Sequence, residues 1–323
     1  MAKVIIAIHG LGNKPSKEIL QNWWKESMIE GLKNLGHDFK FPKFEMIYWA
    51  DILYKKPLDE TITDKKHPLY LKDKYVPGKE IRKDINHELR RKILDWYDEA
   101  ADNIFLNEDM TVNYSFISDT IIHNYFKDLE AYYLNTTIPS DGLILLARDQ
   151  IRNRVVEVLK KYQHDDIFLI AHSMGSIIAF DILTFNLPKL KINTLATIGS
   201  PLGIPFVRSK IVQEKRMVLN NDLKLKTPPG VQKYWYNFSD LEDIVAINYS
   251  LKNDFNENKL GIKAIDSIVN NNYEINREKN PHKSYGYLRT PEFSKVLLEF
   301  IQQKEKGFIQ KLKEFFGFKN RFI

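Results

Sequence analysis

One stretch in the middle of the chain strongly constrains the fold. An apolar run of strand type, 167–171, leads into His172-Ser173-Met174-Gly175, and a second apolar run of helical length follows over 177–183. The pattern predicts a buried strand, a sharp turn with Ser173 at its apex, and a helix. The residues two positions before and two positions after the serine are alanine and glycine. Both are small enough for the strand and the helix to approach each other closely.

Strand and helix patterns alternate on both sides of this stretch. Strands are predicted at 3–8, 44–50, 193–198 and 233–238, and helices at 17–35, 141–162, 291–304 and, for a short one, 262–269. Such alternation favours a mostly parallel central sheet flanked by helices. We therefore predict an α/β fold whose core is formed by residues 1–50 and 141–304.

The segment 51–140 interrupts this alternation. It shows no convincing strand, begins with a loop rich in lysine and proline over 55–78, and then has apolar residues at helical spacing. We interpret it as a helical insertion of about 90 residues. Its aromatic residues either form the insertion's own core or line an acyl pocket beneath a lid.

Composition narrows the functional classes. The 323 residues include no cysteine, which excludes disulfides, thiolate metal sites and a cysteine nucleophile. There is no H-E-x-x-H or phosphate-binding loop, and Pro15 stands where a dinucleotide fingerprint needs its third glycine. We therefore expect neither cofactor nor metal. The net charge of +6 is spread along the chain without a nucleic-acid-binding motif.

Two terminal segments bear on location. The apolar run at 4–8 is too short for a signal peptide or a membrane span, which predicts a cytoplasmic protein. The tail, 305–323, is basic and has apolar residues on one helical face. Either this face packs on the protein or on a second subunit, or it contacts an anionic membrane surface as a peripheral anchor.

Ser173 has the setting of a nucleophile, because a serine on such a turn is exposed at the end of a strand. A serine hydroxyl needs a base, and a histidine serves if a carboxylate orients it. In the family that this turn resembles, the chain order is serine, acid, histidine. His282 is the only histidine after Ser173. Among the acids that follow the 233–238 strand, we prefer Asp243 as the partner, with Asp240 as the alternative.

The oxyanion of an acyl-transfer intermediate needs hydrogen-bond donors. One predicted donor is the backbone N–H of Met174, directly after the serine. The other is the N–H of Leu11, in the glycine-containing loop His9-Gly10-Leu11-Gly12 after the first strand. For His9 we favour a bracing role within that loop.

Together these segments resemble the α/β-hydrolase superfamily, of the lipase/esterase type. The resemblance rests on the loop at 9–12, the A-x-S-x-G turn at 171–175, Gly199-Ser200-Pro201, the acid loop ending at 245 and the His282 loop. The chain departs from the family's pattern in having Ala171 in place of glycine, and in an acid loop without the usual glycine or proline.

The resemblance implies a serine hydrolase that cleaves carboxylic esters through an acyl-enzyme, with a small-molecule or lipid-like acyl ester as substrate. Ser173, His282 and Asp243 would form its catalytic triad, and Leu11 and Met174 its oxyanion hole. A thioesterase, amidase or peptidase would use the same triad, and a non-catalytic binding protein could keep the same fold.

Overall fold

The computed structural model describes residues 2–38, 40–78, 129, 132–133, 137–140, 143–219, 224–246 and 249–303. Their strands are β1 (Lys3–Ile8), β2 (Lys43–Ile47), β3 (Thr137–Ser140), β4 (Leu143–Leu146), β5 (Asp166–His172), β6 (Ile192–Ile198), β7 (Val231–Asp240), β8 (Ala264–Val269), β9 (Glu274–Ile275) and β10 (Glu278–Lys279). The α-helices are α1 (Lys17–Asn34), α2 (Ala50–Leu53), α3 (Ala147–Lys161), α4 (Met174–Asp181), α5 (Pro205–Leu219), α6 (Leu251–Asp254), α7 (Ser284–Leu288) and α8 (Pro291–Gln302).

The centre of the fold is a six-stranded sheet in the order β2-β1-β5-β6-β7-β8, and each neighbouring pair is parallel. The predicted α/β architecture with a parallel sheet flanked by helices is therefore confirmed. Strands β3–β4 and β9–β10 form two separate antiparallel pairs.

Both faces of the sheet are buried, which explains the unbroken apolar runs of its central strands. In β5, Leu169 and Ala171 point to one core, and Phe168 and Ile170 point to the other. The second core also contains residues of α1, α7 and α8. Side chains that alternate along a strand reach opposite faces, so each central strand contributes to both cores.

Helix α1 joins the N-terminal part of the fold to its C-terminal part. It begins after Ser16, whose side chain accepts a hydrogen bond from the Ile19 N–H. Within the helix, Ser27 Oγ donates to the Tyr285 carbonyl over 2.5 Å. Lys3 Nζ of β1 donates to the Ile301 carbonyl over 2.7 Å. These contacts hold α7 and α8 against the first β-α unit.

Three predicted elements need correction. The short helix predicted at 262–269 is strand β8, which pairs with β7. Its isoleucines have helix-like spacing, but β-branched side chains favour a strand once a neighbouring strand is available. The strand predicted at 44–50 ends at Ile47 and is followed by α2.

The third correction concerns residues 137–146. The helix predicted at 141–162 begins only at Ala147, because Leu143–Leu146 pairs as β4 with β3, and β3 lies in a segment predicted to lack strands. The sequence between these strands is Asp141-Gly142, a strong two-residue hairpin signal. Residues 79–128, which make up most of the segment predicted to be a lid, lie outside the described residues, and so does the whole tail, 305–323.

Parallel strands end at the same edge of a sheet, and the loops at this edge carry the site residues predicted from the sequence. Strands β1, β5, β6, β7 and β8 end at Ile8, His172, Ile198, Asp240 and Val269. The loops that follow them hold His9, Ser173, Gly199, Asp243 and Asn271. In the described part of the chain, no helix combines the length and the apolar composition needed to cross a bilayer.

Candidate active site

Ser173 occupies a strained turn between β5 and α4. Its φ is 53° and its ψ is −128°, a conformation that is costly for a residue with a side chain. The Ser173 N–H donates to the Ile198 carbonyl over 3.1 Å. A Cβ at Gly175 would lie 2.5 Å from the Ile8 carbonyl oxygen. A glycine is therefore required two positions after the serine for α4 to pack against the end of β1.

The structure brings Ser173, His282 and Asp243 into one hydrogen-bonded chain. His282 Nε2 lies 2.9 Å from Ser173 Oγ, and His282 Nδ1 lies 2.8 Å from Asp243 Oδ2. Because a carboxylate only accepts, Nδ1 carries the proton and donates it to Asp243. Nε2 of the neutral ring is then the acceptor for the Ser173 hydroxyl, so it can take the serine's proton.

Of the two candidate acids, Asp243 is the one that is hydrogen-bonded to His282. The Asp243 side chain is fully buried and also accepts from the Val245 N–H over 2.9 Å. Asp240, three residues earlier, accepts from the backbone N–H groups of Glu242 and Asn271 instead. Burial is the main cause that raises the pKa of Asp240 to about 6. Of the two alternatives left by the sequence, the geometry favours Asp243.

A tyrosine completes the surroundings of Asp243. The Tyr287 hydroxyl, fully buried in α7, donates to Asp243 Oδ2 over 2.7 Å. The same hydroxyl oxygen accepts from the Asp240 N–H over 2.9 Å. No local pattern in the sequence marks Tyr287 as part of the site.

His9 braces the loop predicted to hold the oxyanion. The Trp49 N–H donates to His9 Nε2 over 3.0 Å, so Nδ1 carries the proton and donates to the Gly10 carbonyl over 2.7 Å. Burial, helped by the charge of Lys14, lowers the pKa of His9 to about 3, which keeps the ring neutral. The bracing role predicted for His9 agrees with these contacts.

The oxyanion donors predicted from the sequence belong to two segments that adjoin the serine. A Cβ at Gly10 would be 2.7 Å from Ser173 Cβ, so the loop carrying Leu11 runs directly over the serine. The Gly10–Leu11 peptide is planar, and fixing the Gly10 carbonyl also fixes the direction of the Leu11 N–H. Met174 begins α4, where the first N–H groups have no partner within the helix.

The loop after β6 contacts the site from a third side. At Gly199, with φ of 53°, a Cβ would lie 2.9 Å from Asp243 Oδ2 and 3.2 Å from His282 Nδ1. Ser200 Oγ lies 2.7 Å from Ser176 Oγ, which donates to the Ser173 carbonyl over 2.6 Å. The Gly-Ser-Pro sequence signalled this loop, but its contacts with the acid and the turn became visible only in the structure.

His172 lies against the loop that carries His282, and its Nε2 is turned to a backbone carbonyl. Its Nε2 lies 2.8 Å from the His282 carbonyl oxygen, so it donates there. Burial, followed by the neighbouring His282, lowers the pKa of His172 well below its ordinary value and keeps it neutral. Among the described residues, no group of three or more His, Asp or Glu side chains is arranged to hold a metal ion.

Comparison of the sequence with models of known protein families finds no match, and a search among curated proteins finds none either. The interpretation of the site therefore depends on its own geometry.

Proposed function

We propose that the chain is a serine hydrolase of the α/β-hydrolase type that cleaves carboxylic esters. The observation that carries the proposal is the continuous chain from Asp243 through His282 to Ser173, with the serine at a positive-φ turn. A strained serine that is hydrogen-bonded to an imidazole oriented by a buried carboxylate has little structural benefit and a direct use in nucleophilic catalysis.

The order of the strands supports the same proposal. The serine follows β5 in the interior of the sheet, the acid follows β7, and the histidine comes later in the chain than the edge strand β8. The loop after β1, the neighbour of β5, lies over the serine. Serine, acid and histidine in that chain order, with an oxyanion loop from an early strand, are the arrangement expected of α/β-hydrolases.

In the first half of the reaction, Ser173 Oγ attacks the ester carbonyl carbon while its proton passes to His282 Nε2. The negative charge that develops on the carbonyl oxygen is met by the N–H groups of Leu11 and Met174. The tetrahedral intermediate then collapses. The carbon–oxygen bond to the alcohol breaks, and His282 returns its proton to the leaving oxygen.

In the second half, a water molecule gives a proton to His282 Nε2 and attacks the acyl carbon. The bond to Ser173 Oγ breaks, the serine recovers its proton and the carboxylic acid leaves. Throughout, Asp243 holds the ring in one tautomer and stabilises the imidazolium that forms transiently. Ser173 and His282 recover their starting protonation states, so each cycle converts one ester and one water into an alcohol and a carboxylic acid.

A fluorophosphonate probe tests the proposal, because it reacts with an activated serine without needing the natural substrate. We expect wild type to label, and both Ser173→Ala and His282→Ala to lose labelling. A series of p-nitrophenyl esters of increasing chain length, run beside an acyl thioester and an anilide, would then define the bond and acyl group preferred. A folded wild type that resists the probe, with and without detergent, would favour a binding protein with this fold.

A further inference from the structure

Three consecutive carbonyl groups around His282 are held by buried side chains. Asn271 Nδ2 donates to the Pro281 carbonyl over 2.7 Å and to the Lys283 carbonyl over 2.8 Å. His172 donates to the carbonyl between them, that of His282 itself. A loop backbone is usually free to exchange its partners with water. This backbone is fixed on both sides of the histidine.

Asn271 is itself held from three directions. Its Oδ1 accepts from the Tyr273 N–H over 3.1 Å, and its own N–H donates to Asp240 Oδ2 over 2.5 Å. A Cβ at Gly286 would overlap Asn271 Oδ1, so the glycine leaves the space that the amide occupies. With only 7% of its surface exposed, Asn271 has little freedom to choose other partners.

The amide uses both of its N–H hydrogens on the histidine loop, one for each flanking carbonyl. A carboxylate of the same shape would present only acceptors to these oxygens, and an alanine would present nothing. In either case the loop would lose two donors. The His282 ring would then depend on its own side-chain contacts and on His172 for its position.

We propose that Asn271 is a positioning residue for the catalytic histidine, because it clamps the carbonyls on either side of His282. The inference rests on the proposed function. It also gives Asp240 a role: by accepting the Asn271 N–H, this carboxylate orients the clamp and contributes to the site without touching the histidine. A small displacement of a general base is costly, on the order of 10- to 100-fold in rate.

The chain contains a matched control. Asn258 is also 7% exposed, and its Nδ2 donates to two carbonyls, those of Pro228 and Val231. Its Oδ1 likewise accepts backbone N–H groups. It lies beside Val231, where β7 begins, at the opposite end of that strand from Asp240. Replacing Asn258 therefore repeats the loss of two buried hydrogen bonds far from Ser173.

The experiment compares Asn271→Asp and Asn271→Ala with Asn258→Asp in the full-length protein. Circular dichroism first identifies a temperature at which all variants are folded. The rate of fluorophosphonate labelling and the kcat and KM for p-nitrophenyl butyrate are then measured. We expect both Asn271 variants to label at least tenfold more slowly and to lose kcat with little change in KM. Asn258→Asp should lose thermal stability but label like wild type.

Two results would overturn the clamp. In one, folded Asn271 variants label as fast as wild type. In the other, Asn258→Asp loses as much rate as Asn271→Asp, so that the loss follows stability alone. If Asn271→Asp does not fold, Asn271→Ala decides by the same criteria, since it introduces no buried charge. Labelling of the wild type is measured before that of any variant, because a folded wild type that fails to label contradicts the proposed function itself.

Discussion

The Tyr287 hydroxyl stands between two aspartates, donating to Asp243 Oδ2 over 2.7 Å and accepting from the Asp240 N–H over 2.9 Å. The hydroxyl therefore links Asp243, the acid that contacts His282, to Asp240 at the end of β7. Asp243 receives hydrogen bonds from Val245, His282 and Tyr287, and these fix both carboxylate oxygens. Orientation of the imidazole depends on this arrangement.

Removing that hydroxyl should weaken both stability and turnover. Tyr287→Phe leaves the buried Asp240 N–H without its acceptor, which should lower the free energy of unfolding by about 1–2 kcal/mol. We expect kcat for p-nitrophenyl butyrate to fall by roughly 3- to 30-fold, because Asp243 keeps its other donors. Tyr162→Phe is the control, since that hydroxyl also donates to a carboxylate, Glu45, away from the site. If both variants lost stability and Tyr287→Phe kept the same kcat as Tyr162→Phe, the role of Tyr287 would be only structural.

Gly199→Ala should abolish most activity. Its Cβ would lie 2.9 Å from Asp243 Oδ2 and crowd the acid against His282, and its φ of 53° adds strain of about 1–2 kcal/mol. Gly261→Ala separates the two effects, because Gly261 has a φ of 73° and no atom within 4 Å of an added Cβ. We expect both variants to unfold at a lower temperature than wild type, because both carry backbone strain. Only Gly199→Ala should also react more slowly with the fluorophosphonate probe. Normal labelling of that variant would contradict the close approach.

The neutral His9 should make the protein sensitive to acid. Its pKa of about 3 in the folded chain is below the ordinary 6.5, so the unfolded chain binds more protons between these values. The contribution of His9 to stability is therefore complete above pH 6.5 and falls as the pH drops towards 3. At pH 5 the expected loss from His9 is about 2 kcal/mol. His172, with its pKa also lowered by burial, acts in the same direction.

Urea unfolding at pH 7 and pH 5 measures this effect. His9→Gln should be less stable than wild type at pH 7 but lose less stability between the two pH values, because an amide does not titrate. His164→Gln, at an exposed position, controls for removal of a histidine. An unchanged pH dependence in His9→Gln would mean that other groups cause the acid sensitivity.

Two arginines of α3 should differ sharply in their contribution to stability. Arg152 lies between Asp181 and Glu214 at 2.7 and 2.9 Å, and all three side chains are nearly buried. Arg152→Met leaves two buried acids with less compensation and should cost about 3 kcal/mol or more. Arg154 pairs with Asp51 in a half-exposed position, so Arg154→Met should change stability by only about 0.5 kcal/mol. Thermal unfolding of the two variants checks the contrast, which equal costs would contradict.

The sequence predicted the α/β architecture and pointed to Ser173 and His282, because these depend on local patterns and chain order. It preferred Asp243 and kept Asp240 as the alternative, since both acids follow the strand predicted at 233–238 and the pattern does not show which side chain reaches the histidine. The short helix predicted at 262–269 was wrong, because the segment pairs as strand β8 with β7, and its own spacing does not reveal that pairing. Asn271 and Tyr287 act through contacts with residues remote in sequence or on another loop, and such contacts leave no local signal.

The contacts of β1 and α1 with the C-terminal helices have a consequence for biosynthesis. The hydrogen bonds from Lys3 and Ser27 to Ile301 and Tyr285 span 298 and 258 residues. A chain growing on the ribosome can pair β1 with β2 and then with β5, but the face of α1 that contacts α7 and α8 stays uncovered until almost the whole described chain has been made. Such distant contacts slow folding and leave hydrophobic surface exposed to aggregation. We expect production of the protein to depend more on chaperones that shield this early segment than on the strength of any single contact.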